Sequence, residues 1–276
     1  PLDPGAFMPT LDVNGHSMYY EVSGIPGADK AVVMGGWGTF CHGKQKDAPR
    51  YLFETYEVLT FDYRGMRDST DDYSREATMQ LFADDLAQLL DHLGWTNVHI
   101  VGMVGMGACI GQELAYARPD LARSLVMTGT WAYADPIMVD QLDSMTTMHQ
   151  ESGFYAFQKF VASFSFPGDF YNENRDRLLG DNGTWADLNG NFAAHERYVH
   201  ACNIHDSRER LPHIKTPSLV LHALQDSITT ARHTQVIEDL IPNCIGITWP
   251  DASHVIAGKE QRIRFDALLK DFLEAN

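Results

Sequence analysis

The hydrophobic and polar positions of this chain follow two alternating periods. Short apolar runs bounded by Gly or Asp are typical of buried strands, and they lie at residues 31–34, 58–61, 98–103, 124–129, 217–224 and 245–249. Longer stretches with an apolar residue at every third or fourth position predict helices at 78–93, 106–117 and 258–275. Strands that alternate with helices predict an α/β fold, with a mostly parallel central sheet flanked by helices.

Two segments depart from this rhythm. Residues 10–14 and 17–22 alternate as an antiparallel hairpin would, and Asn14-Gly15 suits its tight turn. About 80 residues between the fourth and fifth predicted strands of the repeating pattern are rich in Met, Phe, Tyr, Trp and His, with a Gly/Asn-rich turn at 180–191. We therefore predict a helical cap at 132–212, inserted into a core domain formed by 1–131 and 213–276.

Composition narrows the classes of partner and compartment. The chain carries 37 acidic and 21 basic residues, a formal charge of -16, which disfavours nucleic acid and membrane surfaces as partners. Its four cysteines are far apart, which predicts free thiols in a reducing, cytoplasmic setting and no zinc site. The first fifteen residues lack the pattern of a signal peptide, and no apolar run is long enough for a membrane span.

Two candidate catalytic residues follow late strands of the predicted sheet. Asp226 comes directly after the strand at 217–224, and His254 lies in a loop after the strand at 245–249. Alone, the Asp could be a helix cap and the His an exposed loop residue. An acid after one strand and a histidine after the next is the order in which α/β-hydrolases place two members of a catalytic triad.

A strand, a glycine-rich turn and a helix at 98–115 give the chain a family resemblance. The helix carries Gln112-Glu113-Leu114-Ala115, GGWGTF stands at 35–40, and FDYRGMRDS stands at 61–69. On these motifs the chain resembles the α/β-hydrolase superfamily, in particular its esterase, lactonase and carbon–carbon hydrolase branches, from about residue 10 to 275. The resemblance implies the α/β-hydrolase fold and a small-molecule carbonyl substrate held between cap and sheet.

The nucleophile is where the chain departs from that family. The usual serine would stand at Gly105 when one counts back along the helix, and at Val104 when one counts forward along the strand. Neither residue can attack a carbonyl, so the serine mechanism cannot run through this turn. Cys41, in the loop after the first core strand, is a weak substitute, and Cys109 is expected to face the core.

The backbone donors of an oxyanion hole do not depend on a serine side chain. By resemblance they are the amides of Trp37 and of Met106, or of Gly105 in the other register. The glycines at 102, 105 and 107 also follow a strand, as in dinucleotide-binding proteins, but no acidic residue closes a second strand about 20 residues later. We expect neither a cofactor nor a metal.

Three functions remain open from the sequence. The leading hypothesis is an enzyme that acts on a small, largely apolar ester, lactone or ketone through Asp226, His254 and the oxyanion hole, by hydrolysis or by a lyase, isomerase or cyclase reaction. The second is an ester or lactone hydrolase whose serine was replaced by engineering. Natural loss is favoured, because the loop at 35–40 departs from the family as well, with Met34-Gly35-Gly36 where the family often has His-Gly. The third is a binding protein derived from a hydrolase. A homodimer is left open.

Overall fold

Residues 9–276 are described by a computed structural model. The first eight residues lie outside this range. The predicted core domain begins among them, and so does the segment that we expect not to be a signal peptide. One eight-stranded sheet has the order β1-β2-β4-β3-β5-β6-β7-β8. The strands are β1 Thr10–Val13, β2 His16–Gly24, β3 Lys30–Met34, β4 Glu57–Phe61, β5 Val98–Gly102, β6 Ala122–Met127, β7 Ser218–Ala223 and β8 Cys244–Trp249.

The hairpin of β1 and β2 forms the antiparallel edge, and the other neighbouring strands run parallel from β4 to β8. The helices are α1 Arg50–Thr55, α2 Met79–Leu93, α3 Met106–Ala117, α4 Pro136–Ser152, α5 Phe154–Ser165, α6 Gly168–Leu178, α7 Phe192–Ile204, α8 Ala231–Leu240 and α9 Lys259–Glu274. The predicted α/β class, with a mostly parallel sheet flanked by helices, is confirmed.

Local signals fix the ends of α2. The Thr78 side chain accepts a hydrogen bond from the Leu81 amide, which is the usual N-cap arrangement. Gly94 ends the helix in the left-handed conformation, which glycine adopts without a steric penalty. One face of α2 is buried, and so the predicted amphipathic helix at 78–93 corresponds closely to the observed one.

Four helices, α4 to α7, occupy the stretch between β6 and β7. Between α6 and α7 the chain forms a turn whose only helical element is the short 3-10 segment Ala186–Leu188. Gln158 of α5 holds this turn, because its side-chain amide donates to the carbonyls of Gly180 and Thr184. The helical character predicted for 132–212 matches this description, and its status as a separate cap stays a prediction.

The helix that follows β5 packs unusually close to the sheet. A Cβ atom at Gly102, the last residue of β5, would lie 2.4 Å from the Cα of Ala108. A Cβ atom at Gly107 would lie 2.6 Å from the Gly35 carbonyl oxygen. Only glycine permits such approaches, so these residues set the position of the turn between β5 and α3. Among residues 9–276, no helix is long and apolar enough to cross a membrane.

Candidate active site

Asp226 lies in a tight turn directly after β7. Its Oδ1 accepts hydrogen bonds from the amides of Ile228 and Thr229, both at 2.8 Å, and its Oδ2 accepts one from the Thr229 hydroxyl at 2.6 Å. Asp226 is not the cap of α8, because that helix begins at Ala231. Burial alone would raise the pKa of Asp226, but the charge of His254 and these hydrogen bonds outweigh it and hold the pKa below its ordinary value.

His254 lies in the loop between β8 and α9, against Asp226. The distance from its Nδ1 to Oδ2 of Asp226 is 2.9 Å, and its side chain is nearly buried. Since the ionised carboxylate can only accept, Nδ1 carries a proton, and in the neutral form of the ring Nε2 is therefore the acceptor. Within the described part of the chain, Nε2 has no hydrogen-bond partner on the protein.

The turn between β5 and α3 contains two consecutive residues with positive φ. Val104 has φ 59°, and Gly105, which caps α3, has φ 68° and ψ -113°. The Gly105 amide donates to the Gly129 carbonyl at 2.6 Å. Gly105 is the N-cap residue of α3, and Val104 lies one residue before it; which of the two corresponds to the family's serine stays a prediction.

Space remains beside Gly105 for a small side chain. A Cβ atom there would lie 3.4 Å from Cζ3 of Trp131, an ordinary van der Waals contact. Gly129 has no such freedom, since a Cβ atom there would lie 3.0 Å from the His254 carbonyl oxygen and 3.2 Å from its Nδ1. The absence of a side chain at 129 lets the histidine loop lie directly against the end of β6.

Two residues that line one cavity, Met106 and Trp37, have backbone amides available as donors. Within residues 9–276, neither the Met106 amide nor the Trp37 amide donates to a protein acceptor. The Gly105 amide, the alternative donor, is engaged by Gly129. The loop at 35–40 is held close to the turn, because Gly107 donates to the Gly35 carbonyl at 3.0 Å and a Cβ atom at Gly36 would lie 2.9 Å from the Val104 carbonyl oxygen.

The base, the turn and the two donor amides meet at one cavity between the sheet and α4–α7, which Asp226 itself does not line. About 40 Å³ of it is open to the centre of a water molecule, and its empty volume, which includes the part open to solvent, is about 410 Å³. The lining is apolar except for His254, Ser165 and the thiol of Cys202. It consists of Gly36, Trp37, Val104, Gly105, Met106, Trp131, Met138, Leu142, Met145, Val161, Ser165, Trp185, Cys202, Ile228 and His254.

The thiols considered as substitute nucleophiles lie elsewhere. Cys41 is buried outside the cavity lining and donates to the Thr60 hydroxyl at 3.4 Å. Cys109 lies on the buried face of α3, and its Sγ is 3.3 Å from the Thr130 hydroxyl. Burial raises the pKa of both thiols, so neither is a ready thiolate. Cys202 does line the cavity, and burial raises the pKa of its thiol to about 12.

Sequence reasoning did not single out three cavity residues, Trp131, Trp185 and Ser165. Trp131 comes four residues after the end of β6. Because functional groups gather beyond the carboxyl ends of parallel strands, the reasoning that identified Asp226 could have identified Trp131 as well. Trp185 and Ser165 come from the inserted region, where no periodicity identifies the inward positions. Two histidines of the inserted region differ in exposure: His200 is exposed, and His205 is buried against Gln112 and Glu113.

Among the described residues, no group of three or more His, Cys, Asp or Glu side chains is arranged to hold a metal ion. The carboxylate and the imidazole that the structure brings together at the site are those of Asp226 and His254. The arrangement offers a base at Nε2 and two amide donors, and it offers no side chain at Gly105 or Val104 that could form a covalent intermediate.

Comparisons with known proteins agree with this architecture. The sequence profile of the family described as alpha/beta hydrolase fold matches residues 24–260. A relative from Pseudomonas savastanoi pv. phaseolicola, which bears the name carbamate hydrolase RutD, is 26% identical over 227 residues, 81% of this chain and 86% of the relative. The enol-lactonase from Burkholderia xenovorans LB400 has a TM-score of 0.83 at 21% identity, over 96% of this chain and 100% of that chain. The α/β hydrolase MGS-M2 from a Medee basin deep-sea metagenome library has a TM-score of 0.83 at 22% identity, over 96% and 97%.

Proposed function

Because the chain belongs to the α/β-hydrolase family, we propose that it is an enzyme that uses His254 as a general base, without a covalent intermediate and without a cofactor. The substrate is a small, uncharged, largely apolar carbonyl compound. The observation that carries this proposal is the hydrogen-bonded pair of Asp226 and His254, whose ring lines a cavity in which neither Val104 nor Gly105 supplies a nucleophile.

Asp226 gives His254 its role as a base. The carboxylate orients the ring, keeps the proton on Nδ1, and stabilises the imidazolium that forms when Nε2 takes a proton. Such a pair contributes only when a substrate proton or a water lies within reach of Nε2, and the cavity lined by His254 is the place where either would bind.

The amides of Met106 and Trp37 supply the electrophilic half of the site. Met106 is the first residue of α3, so its amide stands at the positive end of the helix dipole. A fixed donor of this kind can contribute about 3 kcal/mol when negative charge develops on a carbonyl oxygen. We assign these two amides to the carbonyl oxygen of the substrate.

No hydroxyl or thiol of the cavity supports an acyl-enzyme mechanism. The Ser165 hydroxyl donates to the Val161 carbonyl at 2.8 Å, away from His254. The Cys202 thiol is buried and protonated at neutral pH. Carbamate hydrolysis, the activity in the relatives' name, is not carried over for an anionic carbamate, because within residues 9–276 no Lys or Arg lines the cavity to hold its charge.

The space beside Gly105 favours one second candidate, an ester or lactone hydrolase whose serine has been replaced. A paired assay separates the two. The protein and its His254→Ala variant are given a panel of neutral aryl esters, lactones and ketones, with products identified by mass spectrometry. We expect turnover that the variant loses. No turnover by the protein, with ester hydrolysis appearing in Gly105→Ser, would favour the replaced-serine hydrolase instead.

A further inference from the structure

The cavity contains a hydrogen-bond acceptor that nothing on the protein satisfies. Nε2 of His254 has no donor within the described residues, while its other ring nitrogen is held by Asp226. In a serine enzyme of this kind the nucleophile's hydroxyl would supply that donor. Here Gly105 and Val104 supply none, and the Ser165 hydroxyl is committed to Val161.

The cavity also contains donors without acceptors, because among the described residues nothing accepts from the amides of Met106 and Trp37 or from Nε1 of Trp131, whose ring lines the same cavity. A ligand that displaces water from this apolar space must satisfy both kinds of group, because a buried polar atom without a partner is costly. A simple ester, lactone or ketone can accept from the amides but has no hydrogen to give to Nε2. Such a ligand leaves the base unpaired unless a water enters with it.

We infer that the ligand of this site is an uncharged hydroxy-carbonyl or enolic compound, whose O–H donates to Nε2 of His254 and whose carbonyl oxygen accepts from the amides of Met106 and Trp37. This inference rests on the proposed function and narrows its substrate class. The rings of Trp37, Trp131 and Trp185 line the same cavity and favour a flat, apolar frame for the compound.

The first chemical step follows from this placement. The O–H bond of the ligand breaks, its proton forms a new N–H bond at Nε2, and the electron pair stays on the ligand oxygen. In the enol of a 1,3-dicarbonyl compound the resulting negative charge is shared with the carbonyl oxygen that accepts from the two amides; in a compound whose hydroxyl stands next to the carbonyl, the charge stays on the hydroxyl oxygen. Asp226 stabilises the imidazolium. No carbon–oxygen bond changes in this step, and no co-reactant is needed.

Maltol, a small uncharged hydroxypyranone, and its O-methyl ether test the inference as a matched pair. Binding of each is measured by tryptophan fluorescence, since three tryptophans line the cavity, and by calorimetry. We expect maltol to bind about tenfold more tightly than the ether, the ratio that one satisfied buried acceptor produces. We also expect the maltol absorption band to move to longer wavelength on binding, as it does when the hydroxyl ionises.

Variants assign the preference to the base. His254→Ala removes Nε2, and Asp226→Asn, which keeps the volume of the side chain, lets the ring carry its proton on Nε2 instead. Both are expected to bind maltol and the ether equally. His200→Ala is the matched control, because His200 is exposed, contacts Glu76 and lies outside the cavity lining. Circular dichroism verifies that each variant is folded.

Equal binding of the two compounds by the unaltered protein would overturn the inference, as would binding of neither compound. A preference for maltol that survives in His254→Ala would also overturn it, because the hydroxyl would then be recognised elsewhere. Turnover of aryl esters or lactones that depends on His254, without any preference for maltol, would contradict this inference alone and leave the proposed general-base function in place.

Discussion

Lys44 and Asp187 join the core to the inserted helices: Nζ of the lysine donates to Oδ2 of the aspartate at 2.5 Å. Arg67 approaches the other carboxylate oxygen at 3.7 Å. Asp187 lies two residues after Trp185, which lines the cavity and adopts a left-handed conformation with φ 56°. The ion pair therefore holds the turn that places Trp185 over the site.

Asp187→Asn is expected to loosen this turn. The substitution removes the charge that both basic side chains contact, so amide hydrogen exchange in residues 180–191 should become faster while the rest of the fold changes little. The free energy of unfolding should fall by about 1 kcal/mol or less, since Lys44 and Arg67 are partly exposed. Glu54→Gln breaks a surface pair with Arg50 far from the turn and is the control. Unchanged exchange in 180–191 would contradict the role of the pair.

Cys202 can report on access to the cavity. Because its thiol is buried and burial raises its pKa to about 12, alkylation by iodoacetamide at neutral pH should be slow. Asp187→Asn should accelerate it severalfold if the turn controls entry, as measured by mass spectrometry of the peptide containing Cys202. Cys109, on the buried face of α3, should stay unmodified in both proteins. Fast alkylation of Cys202 in the unaltered protein would show that the cavity is already open.

Gly105→Ser should create a nucleophile where the helix begins. A serine Cβ fits beside Trp131, but its positive φ should cost about 1–2 kcal/mol of stability. We expect the variant to form an acyl-enzyme with p-nitrophenyl acetate, detected as a mass increase of the intact protein. Val104→Ser should form none, because residue 104 lies one residue before the N-cap of α3, and a serine at the N-cap itself is the one we expect to react. The opposite result would mean that residue 104 occupies the nucleophile position.

The stability contribution of Asp226 should depend on pH. A carboxyl whose pKa is lower in the folded state stabilises the fold at pH values above its ordinary pKa of 3.8, and this contribution is lost as the pH falls through the folded value. Asp226→Asn should therefore destabilise the protein more near pH 7 than near pH 2. Urea unfolding at both pH values measures the difference. A cost that is the same at both would show that Asp226 is not held ionised by its neighbours.

The sheet and the helices beside it could be predicted because their signals are local. Each predicted core strand is found within one or two residues, since a buried parallel strand needs a continuous apolar run. The helices α1 and α8 were missed. The first has only six residues, and the buried face of the second consists of His233, Thr234 and Ile237, so an apolar residue does not recur along it.

The site itself could be predicted only where it follows the order of the strands. Asp226 and His254 could be proposed because each comes directly after a strand, and parallel strands end at one edge. The sequence could not decide whether residue 104 or residue 105 stands at the nucleophile position, because that depends on the backbone conformation of the turn, in which both residues have positive φ. The inward-facing residues of the inserted helices depend on long-range packing, which the sequence pattern does not encode.

The hydrogen bond from the Gly105 amide to the Gly129 carbonyl, together with the close contact between Gly129 and His254, has a consequence for the history of this molecule. Neither interaction uses a side chain at position 105. The hydrogen bond joins two main-chain atoms, and the close contact is between Gly129 and His254. The base and the donor amides stay aligned whether or not a nucleophile is present. Selection can therefore exchange one chemistry for another at a single codon, without rebuilding the geometry that both chemistries would share.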